Sequence, residues 1–126
     1  MVALSSSEIG GSSVLLAFLS SKKADGSFEK YKMTIPKQGA VHLTGTGDLF
    51  ASLLLAHSAS SKDLGHAFEL TIASIQSVIE VTLSSMSPEK QEGSIKVSAQ
   101  ERELKIIQSK KHIEAPVIKL RAIKVE

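Results

Sequence analysis

Apolar and polar positions change period along this chain, and the changes mark out its elements. Val2-Ala3-Leu4 is a short apolar run followed by the polar Ser5-Ser6-Ser7, which predicts a strand ending in a loop; Gly10-Gly11 then breaks the chain. Val14, Leu15, Leu16, Phe18 and Leu19 crowd the stretch Ser13–Ser20, which reads as a strand buried on both faces. Asp25-Gly26 is a turn signal. Beyond it Tyr31, Met33 and Ile35 alternate with Lys32 and Thr34, the two-residue period of a half-exposed strand over Phe28–Ile35. These two runs predict a hairpin.

Pro36 and Gly39 punctuate a loop, and Val41-His42-Leu43 predicts a short strand leading into Gly45-Thr46-Gly47. From Asp48 to about Ser58 the apolar residues (Leu49, Phe50, Leu53, Leu54, Leu55) go nearly all round, as in a helix buried inside a protein. A second helix starts at Ser61 or Asp63, with Leu64, Phe68, Ile72, Ile75 and Ile79 at helical spacing. Ser84–Gly93 is polar, contains Pro88 and reads as a surface loop. Ser98-Ala99-Gln100-Glu101 has capping-box spacing and predicts a third helix through about His112. Val117–Val125 predicts a closing strand. Strands at both ends with helices between favour an α/β layered architecture.

Composition narrows the function. A chain of 126 residues, 42% apolar and 22% charged, is globular and builds one core, so residues 1–126 are expected to form a single domain. A formal charge of +2, with Ile106, Ile107, Gln108 and Ser109 separating Lys105 from Lys110-Lys111, argues against a nucleic-acid partner. Cysteine is absent, so disulfides and thiol chemistry are excluded. The longest apolar stretches, near Val14–Leu19 and Leu49–Ala56, fall far short of the ~20 residues of a membrane span. No basic n-region precedes the first apolar run. The expected setting is therefore cytoplasmic, with no membrane partner. His42, His57, His66 and His112 lack metal-ligand spacing, and no metal site is expected from them.

The chemistry concentrates at one turn. A strand, then Gly-x-Gly, then a helix beginning at an Asp lets the backbone turn sharply and lets an anion reach the peptide N–H groups, where the positive end of the helix also points. Asp48 stands out there. A carboxylate repels an anion unless it accepts a proton from an attacking hydroxyl; equally, an Asp in the first turn of a helix is favoured by the helix dipole alone. Spacing leaves both readings open. The turn lacks the third glycine of a dinucleotide fingerprint and the Gly-Lys-Ser/Thr of a Walker loop.

The wider sequence resembles a known family. Gly45-Thr46-Gly47-Asp48-Leu49-Phe50-Ala51 resembles the signature of the ribokinase-like superfamily, and its Thr and Leu-Phe resemble pyridoxal kinases in particular. Three further stretches agree in order. Ser5-Ser6-Ser7-Glu8 resembles a Thr-Ser-Ser-Asp segment that ends a core strand in that family; Met33-Thr34-Ile35-Pro36-Lys37 resembles the strand before the turn; Glu103–Lys110 with Ile113-Glu114 is similar to the C-terminal helix.

The resemblance implies the C-terminal part of a ribokinase-like three-layer fold. It also implies ATP-dependent phosphorylation of the 5′-hydroxymethyl group of pyridoxal, pyridoxine or pyridoxamine, with Mg2+ and a monovalent cation such as K+, in a homodimer. By matching position, Asp48 is the base, and Gly45, Thr46 and Gly47 supply N–H groups to the transferring phosphoryl. Ser5 and Ser6 lie beside the ATP phosphates, with Ser in place of Thr at the first position, and Ile75 lies near the adenine. Lys37–Thr44 departs from the family loop in length, so no adenine contact is assigned there. Pyridoxal kinases are substantially longer, and the N-terminal part with the lid and most pyridine contacts is missing, so the chain alone is expected to be incompetent. The alternatives are a kinase for another small alcohol (a sugar, nucleoside or hydroxymethylpyrimidine) and a non-catalytic product that binds nucleotide or a full-length subunit.

Overall fold

The computed structural model describes residues 1–7 and 14–126; Glu8 and the Gly10-Gly11 break lie outside them. Strands β1 (Val2–Ser7), β2 (Val14–Lys22), β3 (Phe28–Pro36) and β4 (Ile123–Val125) form one four-stranded antiparallel sheet in that order. The expected hairpin is β2–β3, in continuous register from Val14↔Pro36 to Lys22↔Phe28, and Gly26 takes its turn with φ 88°. Alternation decides what each strand buries. Ala17 and Leu19 of β2 and Met33 and Ile35 of β3 point to the helices and are buried. Val14, Leu16 and Phe18 point the other way and are half-buried, so β2 is not buried on both faces as its apolar run predicts.

β1 runs on through Ser7 instead of ending at Leu4. Between Leu4↔Phe18 and Ser7↔Leu16 three residue steps oppose two, a bulge that contains Ser5 and Ser6.

Helix α1 (Thr46–Ser60) and helix α2 (Leu64–Ser84) pack together on the inner face of the sheet. In α1 Phe50, Leu53 and Leu54 are buried but Leu55 is 69% exposed, so this helix has an outer side that its sequence does not announce. Asp63 caps α2, accepting from the N–H of His66 at 3.2 Å, which settles the start between Ser61 and Asp63. By length and composition α2 could cross a bilayer. Here its Phe68, Ile72, Ile75 and Val78 are core residues. Glycine at position 65 lets the ring of Tyr31 lie against the first turn of α2, where an added Cβ would sit 2.8 Å from Tyr Cε1.

The third helix differs from expectation. The capping box forms, with the N–H of Glu101 donating to Ser98 Oγ at 3.2 Å and the N–H of Ser98 to Glu101 Oε1 at 3.3 Å. The helix does not follow, because its backbone groups bond to other parts of the molecule. The carbonyl of Arg102 accepts from the N–H of Thr44 at 2.9 Å, and the N–H of Lys105 donates to Thr82 Oγ1 at 3.0 Å. Helical structure returns only as a 3-10 turn at Ile107–Ser109 and the short helix α4 (Lys110–Glu114). A one-turn helix α3 (Pro88–Gln91) interrupts the loop predicted over Ser84–Gly93, started by Ser87.

Val41-His42-Leu43 is likewise not a strand. The N–H of Ala40 bonds to the carbonyl of Gln91 at 2.8 Å, and a single parallel bridge joins Thr44 to Glu103. Leu43 instead packs into a second small core with Leu83, Met86 and Val97. Of the strand predicted over Val117–Val125 only Ile123–Val125 pairs. Just before it, the N–H of Ala122 donates to Glu69 Oε2 of α2 at 3.3 Å, which draws the chain across the helix.

Candidate functional site

The turn into α1 is built from both sides. The N–H bond from Thr44 to Arg102 fixes the approach, and Gly45 then takes φ 96° and ψ 5°, a left-handed conformation that glycine adopts without a Cβ penalty. The carbonyl of Gly45 accepts from the N–H of Leu49 at 3.0 Å and closes the first turn. Among the described residues no side chain caps this helix, whereas Asp63 caps α2 and Ser87 caps α3. The first N–H groups of α1 therefore lack the side-chain acceptor that a helix start normally carries.

Gly47 adds an independent observation. Its φ is not positive, and a Cβ built on it would meet nothing within 4 Å. Packing and backbone conformation thus give no reason for glycine here, although glycine inside a helix costs about 0.5–1 kcal/mol relative to alanine. A ligand drawn up to the backbone would give one. Asp48 is solvent-exposed in the same turn, and its carbonyl accepts from Ser52 Oγ at 2.8 Å.

Beside the turn lies a cavity of about 360 Å³, within the roughly 300–1,000 Å³ range of small-molecule sites. Thr46 and Phe50 of α1, Leu43 and Gln38 of the preceding loop, and Ile75 and Gln76 of α2 form its walls. The cavity brings together Thr46 and Ile75, which sequence resemblance had placed at the two ends of a bound nucleotide. Gly45, Gly47 and Asp48 are Thr46's neighbours in the turn but are not among the residues that line the cavity. Ser5 and Ser6 lie on β1, and their side chains fall outside the described residues. His42 is exposed and lines the same cavity.

Two wall residues had no signal in the sequence. Gln38 Nε2 donates to Gln76 Oε1 at 2.6 Å and to the Gln76 carbonyl at 3.2 Å. Gln38 sits in an aperiodic loop and Gln76 reads as a polar position of an amphipathic helix, so only the fold joins them.

Among the described residues no three His, Cys, Asp or Glu side chains converge as metal ligands. At the far end of α1, burial holds the His57 imidazole below its usual pKa, with His66 adding to the effect, and His57 Nε2 is buried without a hydrogen-bond partner among the described residues.

An antiparallel sheet covered by α1 and α2, with a glycine-entered helix start beside a cavity, is the fold of the C-terminal part of ribokinase-like α/β proteins. Within that class the chain matches the C-terminal portion of pyridoxal kinases. It is 37% identical over 117 residues to the pyridoxal kinase of Bos taurus, a match covering 89% of this chain and 37% of that protein. To the Arabidopsis thaliana pyridoxal kinase it is 36% identical over 123 residues, 96% of this chain and 38% of the relative. The structure of the Leishmania donovani pyridoxal kinase in complex with ADP superposes with a TM-score of 0.80 at 24% identity, covering 98% of this chain and 39% of that one. The chain thus spans well under half the length of the relatives it matches. No protein-family model matches it.

Proposed function

We propose that this chain supplies the nucleotide-holding and phosphoryl-transfer end of a pyridoxal kinase, which phosphorylates the 5′-hydroxymethyl group of pyridoxal, pyridoxine or pyridoxamine from ATP. One observation carries the reading: an uncapped helix start, entered through Gly45 and left open at Gly47, adjoins a cavity of small-molecule size. The ADP complex of the Leishmania relative supports a nucleotide as its occupant.

In this reading the N–H groups of Gly45, Thr46 and Gly47 face the oxygens of the transferring phosphoryl, where fixed donors stabilise developing charge. Asp48 takes the proton of the vitamer hydroxyl. The freed oxygen bonds to the γ-phosphorus as the bond to the β,γ-bridging oxygen breaks, and ADP leaves. Ile75 provides an apolar wall for the base, and Ser5 and Ser6 lie beside the phosphates. Mg2+ enters with ATP, held largely by the phosphate oxygens and water, and a monovalent cation such as K+ accompanies it. The setting is a cytoplasmic homodimer.

The test uses the chain as it stands. Phosphoryl transfer depends on positioning both substrates and the metal, and this chain spans only 37% of its bovine relative. Calorimetry should show ADP binding, while pyridoxal, ATP, Mg2+ and K+ should give no pyridoxal phosphate by absorbance. A folded chain that binds no ADP overturns the nucleotide reading. Steady turnover abolished by Asp48→Ala overturns the partial-site reading.

A further inference from the structure

Gln38 reaches across from the loop after β3 to the middle of α2, and both of its bonds come from the same nitrogen. A free amide can turn over and present either end, so it distinguishes poorly between a base that offers donor-then-acceptor and one that offers the reverse. The Gln38–Gln76 pair is different. The backbone carbonyl of Gln76 can only accept, so the bond at 3.2 Å requires the Gln38 nitrogen on that side. The bond at 2.6 Å then sets Gln76 Oε1 against the same nitrogen. The atoms that take no part in these bonds are Gln38 Oε1, an acceptor, and Gln76 Nε2, a donor, on two residues that both line the cavity.

We propose that this pinned amide pair reads the base of the bound nucleotide and makes the site prefer adenine to guanine. The inference rests on the nucleotide reading of the cavity. With phosphates at the Thr46 end, the base lies along the wall that includes Ile75 and Gln76, and its edge meets the two amides. Gln38 Oε1 accepts from the exocyclic amine of adenine while Gln76 Nε2 donates to an adjacent ring nitrogen. Guanine offers a carbonyl oxygen and a ring N–H at the corresponding edge, so acceptor meets acceptor and donor meets donor. Paired polar contacts of this kind discriminate between bases by about tenfold or more.

Binding of ATP, GTP and N6,N6-dimethyl-ATP to the whole chain, and to its Gln38→Leu and Gln76→Leu variants, tests this. The expected result is ATP tighter than GTP by about tenfold or more, dimethyl-ATP weakened to a similar degree, and a ratio near one in either variant with unchanged circular dichroism. Equal binding of ATP and GTP by the unmodified chain, or a ratio unchanged in both folded variants, overturns the base-reading role and leaves the nucleotide site standing. If the variants fail to fold, dimethyl-ATP decides on the unmodified chain, and binding equal to that of ATP overturns the proposal. A folded unmodified chain that binds none of the three removes the nucleotide reading itself, and this inference with it.

Discussion

The backbone N–H of Lys105 donates to Thr82 Oγ1 at 3.0 Å, and that hydroxyl donates in turn to the carbonyl of Val78 at 2.8 Å. Thr82 is fully buried on α2, so one side chain ties the C-terminal third of the chain to the central helix. Arg102, three residues earlier, holds Thr44 at the entrance to the Gly45 turn. The shape of that turn thus depends on a segment nearly 60 residues away in sequence.

Thr82→Val keeps the shape of the side chain but leaves the Lys105 N–H without its acceptor. Stability should fall by about 1–3 kcal/mol, the cost of an unsatisfied buried donor. Urea unfolding followed by circular dichroism measures this, and a midpoint equal to that of the unmodified chain would mean the segment is anchored elsewhere.

Asp48→Ala, made in a full-length kinase carrying this C-terminal part, should lower kcat by about 100-fold or more with nucleotide binding retained. Asp48 is exposed, so its removal should change stability only by the few tenths of a kcal/mol that a helix-dipole contact contributes. Near-normal kcat in a folded variant would reduce Asp48 to a helix-start residue.

Gly47→Ala should move stability and binding in opposite directions. The added methyl meets no atom within 4 Å, and alanine favours the helix by about 0.5–1 kcal/mol, so the melting temperature should rise. The same methyl stands where a phosphate would approach the backbone, so the ADP-induced shift in melting temperature should shrink. A higher melting temperature with an undiminished ADP shift would place the anion elsewhere.

His57 should make the fold sensitive to mild acid. Its folded pKa lies below its ordinary value of 6.5, chiefly through burial. Below 6.5 the unfolded chain therefore binds a proton that the folded chain resists, and stability falls as pH drops through that window toward the folded pKa. Denaturant midpoints at about pH 7.5 and about pH 5.5 should differ in that direction, and His57→Leu should reduce the difference. A variant with the same pH dependence would assign the effect to other groups.

What the sequence determined by itself is what short-range pattern controls. The β2–β3 hairpin follows from two apolar periods and Asp25-Gly26, the start of α2 is narrowed to Ser61 or Asp63, and the helix after Gly45-Thr46-Gly47 follows from its apolar run. The capping box at Ser98–Glu101 also forms from four consecutive residues. Only tertiary structure decided what came after that box. Thr44 and Thr82 take the Arg102 carbonyl and the Lys105 N–H away from a helical ladder, and Glu69 does the same to the strand expected over Val117–Val125. Local propensity cannot foresee a competitor that lies tens of residues away. The candidate site divides in the same way. Gly45 to Asp48 is a local motif and is legible, whereas the Gln38–Gln76 pair spans 38 residues and exists only because the loop after β3 is packed against α2.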